Sequence, residues 1–107
     1  MRVPISERSC RKVVDTIGSA HTADRLRLFL APGMGHCGGG EGPNAFDMVS
    51  ALERWFENNQ APALIVASHI ADGKPSRTRP LCPYPQVAKH NGTGSPDEAA
   101  NFRCVLP

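Results

Sequence analysis

The sequence predicts an α/β fold with a parallel sheet, in the order helix, strand, glycine-rich loop, helix, strand, tail. Three observations predict it. Cys10, Val13, Val14 and Ile17 fall at i, i+3, i+4 and i+7, the spacing of one apolar helical stripe. In "RLRLFLA", residues 25–31, Leu26, Leu28 and Leu30 alternate with charged or aromatic neighbours, the period of a strand with one face better buried. A second helical face follows at Ala45, Met48, Val49, Leu52, Trp55 and Phe56, and then the β-branched run "ALIVASHI".

Residues 6–17 form the first expected helix. Ser6 is placed to cap it, Ile5 to staple against Cys10, and Gly18 to stop it. Cys10 reads as a small core residue. The strand over 25–31 ends at Pro32 and Gly33, and a loop carrying His36 and Cys37 follows. The second helix spans about 45–58, with Asn44 as cap, Asp47 three residues on and Pro43 before it. Its apolar face reads as core. A strand over 63–70 ends near His69, which reads as a packed or solvated side chain. After Gly73 the chain is Pro-rich and lacks helical period, so it reads as a tail ordered by contact with the body. Cys82 and Cys104 bracket most of this tail. If bonded, they close a loop of about 23 residues, worth about 3 kcal/mol on the chain-entropy model.

Bulk properties narrow the function. A length of 107 residues makes one small domain or part of a larger one. Twelve basic and ten acidic residues leave a formal net charge of +2, and the basic residues are scattered, so no nucleic-acid partner is expected. No stretch approaches the roughly 20 apolar residues of a membrane span, so no membrane partner is expected either. "MRVPISERSC" lacks the apolar core of a signal peptide. The four cysteines, at 10, 37, 82 and 104, fit no C-x-x-C metal spacing.

The run "PGMGHCGGGEGPNAFD", residues 32–47, admits three chemical readings. Gly33, Gly35 and Gly38 match G-x-G-x-x-G after an expected strand, the pattern of a dinucleotide-binding βαβ fragment. That mechanism needs a helix N-terminus at the last glycine, whereas "GGEGPN" intervenes here. A metal site would need more than the adjacent His36 and Cys37, because neighbouring residues seldom aim at one ion. A catalytic histidine is the third reading. Hydrolases of the strand-helix-strand type carry their base on a loop after a late strand, and glycines let such a loop approach a nucleophile. Spacing alone leaves these readings open.

"RLFLAPGMGHCGGGEGPNAFD" resembles the histidine-bearing segment of the tannase and feruloyl esterase family. "RTRPLCPYPQVAKHNGTGSPDEAANFRC" resembles that family's C-terminal tail, and "VPIS" followed by "RKVVDTIG" is similar to the stretch after its catalytic aspartate. The resemblance covers essentially all of 1–107 and implies the C-terminal portion of an α/β-hydrolase catalytic domain. The function it implies is that of a secreted or periplasmic serine carboxylesterase cleaving esters of aromatic acids, with a small aromatic ester as substrate. It implies that His36 is the triad histidine, that Cys37 bonds to a cysteine beside the nucleophilic serine, and that Cys82 and Cys104 form a tail disulfide.

The other parts of that machinery have no counterpart in these residues. The sequence contains no Gly-x-Ser-x-Gly elbow and no Cys-Ser pair, and Asp15 and Asp24 do not match the triad aspartate. The resemblance therefore places nucleophile, aspartate and lid domain upstream, with calcium as a cofactor of the lid and none in this chain. An N-terminal half is the implied partner. The competing expectation is a catalytically inactive remnant or accessory half. His90 reads as a surface loop position, and Asn91-Gly92-Thr93 is a glycosylation sequon in a turn-prone loop, of consequence only in an exported eukaryotic protein.

Overall fold

The computed structural model describes residues 5–32 and 40–107. Helix α1, Ile5–Ile17, follows the expected stripe, with Cys10, Val13 and Val14 half-buried. It begins one residue earlier than expected, so Ser6 lies inside the first turn rather than at the cap. Gly18, at φ 87, does end α1, and its N–H donates to the Val14 carbonyl at 2.8 Å. The chain then re-enters a helix at once as α2, Ser19–Arg25, which the sequence reading missed. Thr22 anchors that helix. Its hydroxyl and backbone N–H both donate to the Gly18 carbonyl, at 2.7 and 3.0 Å, and it is buried.

The expected strand over 25–31 does not form. Arg25 belongs to α2, and the extended stretch beyond it makes one isolated antiparallel bridge, Phe29 to Pro83. No ladder extends beyond that single bridge.

Helix α3, Met48–Asn58, starts later than expected. Asp47 caps it, not Asn44, accepting from the Ser50 N–H at 2.9 Å and the Ser50 hydroxyl at 2.6 Å. Those bonds, the hydroxyl's first, hold the Asp47 carboxyl below its ordinary pKa. Asn44 and Ala45 are taken up elsewhere: both backbone N–H groups donate to the Ser68 carbonyl, at 3.0 and 2.9 Å, and the Ser68 N–H returns a bond to Ala45 at 2.8 Å.

Strand β1, Ile65–Ala71, lies where a strand was expected, but its partner is the supposed tail. Residues Lys74–Leu81 turn back as β2 and pair with β1 antiparallel, from Ile65 opposite Leu81 to Ala71 opposite Lys74. Asp72 and Gly73, at φ 52 and 76, supply the two positive angles that a tight hairpin turn requires. The ladder slips at His69/Ile70, leaving Ser76 as an extra residue in β2. A second antiparallel pair joins β3, Val87–His90, to β4, Phe102–Val105, after a short 3-10 turn at Ala99–Asn101. Both ladders among the described residues are antiparallel, in place of the expected parallel sheet.

The core is small. Ala51, Ile65, Ala67 and Leu81 are buried together, with Phe29, Ala31 and Phe46 packed against them. Ala51 turns one face of α3 onto β1, and Trp55, one turn on, is half-buried. The rest of the expected core face points away: Met48, Val49 and Leu52 are exposed, and Phe56 is 89% exposed. Leu26 and Leu30 are exposed as well, at 40% each. Val49, Leu52 and Phe56 lie well round the α3 axis from Ala51, and Met48 is exposed at the first residue of the helix.

The β3–β4 unit is fastened to β2 by polar bonds and one covalent link. Cys82 and Cys104 are bonded, with Cα atoms 5.6 Å apart. The Thr78 N–H donates to Asp97 at 2.9 Å, and the Ala99 N–H to the Thr78 hydroxyl at 2.8 Å. Arg79 donates to the Pro96 carbonyl at 2.9 Å and lies 4.4 Å above the Phe102 ring. In the connecting loop Gly94 sits at φ +84, and a Cβ there would come within 2.5 Å of the Asn101 side chain. Gly94→Ala is expected to cost about 1–2 kcal/mol in urea unfolding, because both the left-handed backbone and the Asn101 contact oppose a side chain.

Candidate active site

The segment bearing His36 and Cys37 lies outside the described residues, but both of its stems are described. The incoming stem is held by the Phe29–Pro83 bridge and by the Tyr84 N–H, which donates to the Leu28 carbonyl at 2.6 Å. The outgoing stem is held by the Ala45–Ser68 bridge and by Arg77, which donates to the Glu41 carbonyl at 2.7 Å. Both stems are thus attached to the β1–β2 hairpin or the residues just after it.

Between the stems runs a groove of about 540 Å³, lined among others by Leu30, Pro32, Glu41, Pro43, Arg77 and Tyr84. Pro32, the last described residue before the His36 segment, and Glu41, the second after it, both line this groove. Cys82 lines the same groove. The sequence reading passed over Arg77 and Arg79, which lie in the groove wall. Their signal was the period-two pattern of "SRTRPL", hidden by prolines at both ends of β2.

The dinucleotide reading falls on Gly33, Gly35 and Gly38, which lie outside the described residues. Among the described residues the next helix after them is α3, whose first residue is Met48, beyond the Ala45–Ser68 bridge. Among the described residues no group of three or more His, Cys, Asp or Glu side chains converges as a metal cage.

The other histidines are accounted for locally. His69 is half-buried, with Nδ1 2.9 Å from the Ser76 hydroxyl, which also donates to the His69 carbonyl at 3.1 Å. His90 is not in an open loop; it ends β3, and its ring meets Phe102 edge-on at 5.1 Å. His21 is exposed on α2. Cys10 carries a free, half-buried thiol.

The model of the family described as tannase and feruloyl esterase matches residues 8–105. The chain belongs to the tannase and feruloyl esterase family. Among curated relatives, a mono(2-hydroxyethyl) terephthalate hydrolase from Piscinibacter sakaiensis is 49% identical over 84 residues, covering 76% of this chain and 14% of the relative. A probable feruloyl esterase from Arthroderma benhamiae is 38% identical over 92 residues, covering 82% of this chain and 17% of its own length. In fold, the chain matches the crystal structure of feruloyl esterase B from Aspergillus oryzae with a TM-score of 0.84 at 23% identity, over 94% of this chain and 23% of that one. The chain therefore spans about a seventh to a quarter of the tannase and feruloyl esterase relatives that it matches. The likeness in fold covers 94% of this chain, and the mixture of helix and strand is shared with that structure.

Proposed function

We propose that this chain supplies the base-bearing, C-terminal segment of a carboxylic ester hydrolase of the α/β-hydrolase type, acting on esters of aromatic acids. The observation that carries the reading is the family match across residues 8–105, which includes His36 and Cys37. The relatives' names supply the substrate class, and the two anchored stems supply a frame for a base presented to a groove. In this reading His36 takes the proton of a nucleophilic serine, then returns it to the departing alcohol. An aspartate fixes its tautomer, and water repeats the cycle on the acyl-enzyme. Cys37 ties the loop to a cysteine beside that serine. Serine, aspartate and oxyanion donors come from a segment other than these 107 residues. Location outside the cytoplasm, secreted or periplasmic, fits the disulfide at Cys82 and Cys104.

The second reading is an inactive remnant, since these 107 residues hold His36 but no Gly-x-Ser-x-Gly or Cys-Ser nucleophile of their own. Turnover of a chromogenic aryl ester separates the two. The chain alone is expected to give no burst and no turnover, since a base without a nucleophile forms no acyl-enzyme. Combined with a segment that carries a Cys-Ser elbow, it is expected to restore turnover that a serine-directed phosphonate abolishes. Failure of the combination to hydrolyse any aryl ester, with the two pieces shown to associate, leaves the remnant reading.

A further inference from the structure

The loop from β3 to the 3-10 turn gathers groups whose chemistry is unrelated to ester hydrolysis. Asn91 is followed by Gly92, a residue without a side chain, at φ 92 and with open space where a Cβ would lie. The backbone N–H of Gly92 donates to His90 Nδ1 at 3.0 Å. His90 Nε2 lies 3.2 Å from the Gly94 carbonyl, which only accepts, so the proton sits on Nε2 and Nδ1 offers its lone pair to Gly92. The edge-on contact with Phe102 fixes the ring in that orientation. On the other side, the Arg103 guanidinium donates to Asn91 Oδ1 at 2.7 Å, which polarises the side-chain amide.

We propose that Asn91–Gly92 is a self-modifying site, at which the Gly92 nitrogen attacks the side-chain amide carbon of Asn91. The Gly92 nitrogen forms a bond to Asn91 Cγ, and His90 Nδ1 takes the proton it loses. Arg103 stabilises the negative charge that develops on Oδ1, as donors do in an oxyanion hole. The bond from Cγ to Nδ2 then breaks, and the proton held by His90 passes to the departing nitrogen, which leaves as ammonia. Water adds across either carbon–nitrogen bond of the resulting succinimide, giving aspartate or isoaspartate at position 91. His90 and Arg103 are catalytic residues of this step, since each touches a reacting atom.

The products differ in consequence. An aspartate carboxylate faces Arg103 and turns a neutral–charged hydrogen bond into an ion pair. An isoaspartate inserts a methylene into the main chain beside the bond from the Asn91 N–H to the Asn101 carbonyl, 2.8 Å long, that closes the loop.

The test is incubation of the full chain at neutral pH and 37 °C, with peptide mapping and ammonia release followed over days. Asn91 is expected to convert, while Asn44, Asn58, Asn59 and Asn101, each followed by a residue with a side chain, stay intact. His90→Phe keeps a ring against Phe102 but removes the acceptor, and should slow conversion about ten-fold, a modest share of what a positioned base contributes. Arg103→Leu should slow it too, and Arg103→Lys should recover part of the rate. The wild-type chain in urea supplies the check that needs no variant: conversion there should be slower than in the folded chain. Equal or faster conversion in urea overturns the proposal, as does an unchanged rate in His90→Phe.

Discussion

Replacing His36 by alanine is expected to lower kcat/KM on an aryl ester by a factor on the order of 10⁴ or more in the assembled enzyme. The size follows from the role proposed for His36 as base to a serine. Without the base, the serine keeps its proton at neutral pH, and neither acylation nor release of the alcohol has a proton carrier. KM should change little, because the imidazole acts on the nucleophile rather than holding the substrate. His69→Ala is the matched control. That ring is engaged with Ser76 inside the hairpin, so its loss should leave kcat/KM within about two-fold. The measurement is steady-state hydrolysis of a chromogenic aryl ester by both variants. A His36→Ala enzyme retaining a tenth of the wild-type rate ends the assignment of this residue as the base.

The second large effect is on stability. Reduction of the Cys82–Cys104 bond, or Cys104→Ser, is expected to cost about 3 kcal/mol and to lower Tm by on the order of 10 °C. The bond spans 22 residues of chain, so cutting it returns substantial freedom to the unfolded state. The folded state has little with which to compensate. Besides that bond, β3–β4 is held to β2 by hydrogen bonds from Thr78, Ala99 and Arg79 and by the Arg79–Phe102 contact, and Val87 in β3 is 47% exposed. Among the described residues the buried apolar cluster is Ala51, Ile65, Ala67 and Leu81, and none of its members lies in β3 or β4. Hydrogen exchange should show β3 and β4 losing protection before β1 and β2 do. Loss of protection everywhere at once would mean that the two hairpins unfold as a single unit.

How far the sequence was legible depends on whether a signal was local. α1 and α3 carry strong 3.6-residue stripes, and β1 is a short β-branched run; all three lie where those patterns put them. α2 has no such stripe, and Gly18 looked like an ending when it is a joint between two helices. β2 contains Pro75 and Pro80 and reads as irregular, yet the Asp72-Gly73 pair was a hairpin signal in plain view. The alternation at 25–31 was genuine, but Arg25 is taken up by α2 and the rest of the stretch finds only the single bridge to Pro83. Apolar periodicity was a good guide to helix and a poor guide to burial: Phe56 belongs to the stripe and is nearly bare. Of the candidate site, His36 and Cys37 stand out only through the family resemblance and lie outside the described residues, whereas the anchoring of the stems depends on Ser68, Arg77 and Tyr84, each far off in sequence.

Those anchors have an architectural corollary. Ser68 grips one stem of the His36 segment and Pro83 the other, and both belong to one continuous hairpin and its exit. A rigid rotation of the hairpin therefore carries the two mooring points together and preserves their separation. Whatever path residues 33–39 take, the frame behaves as a socket into which loops of different length can be plugged. Doubling such a loop adds only about 0.6 kcal/mol of closure entropy. Variation in length between the stems is thus inexpensive, while a shift in hairpin register would displace both moorings at once. Insertions or deletions between positions 32 and 41 should therefore cost less stability than a one-residue shift in the hairpin register.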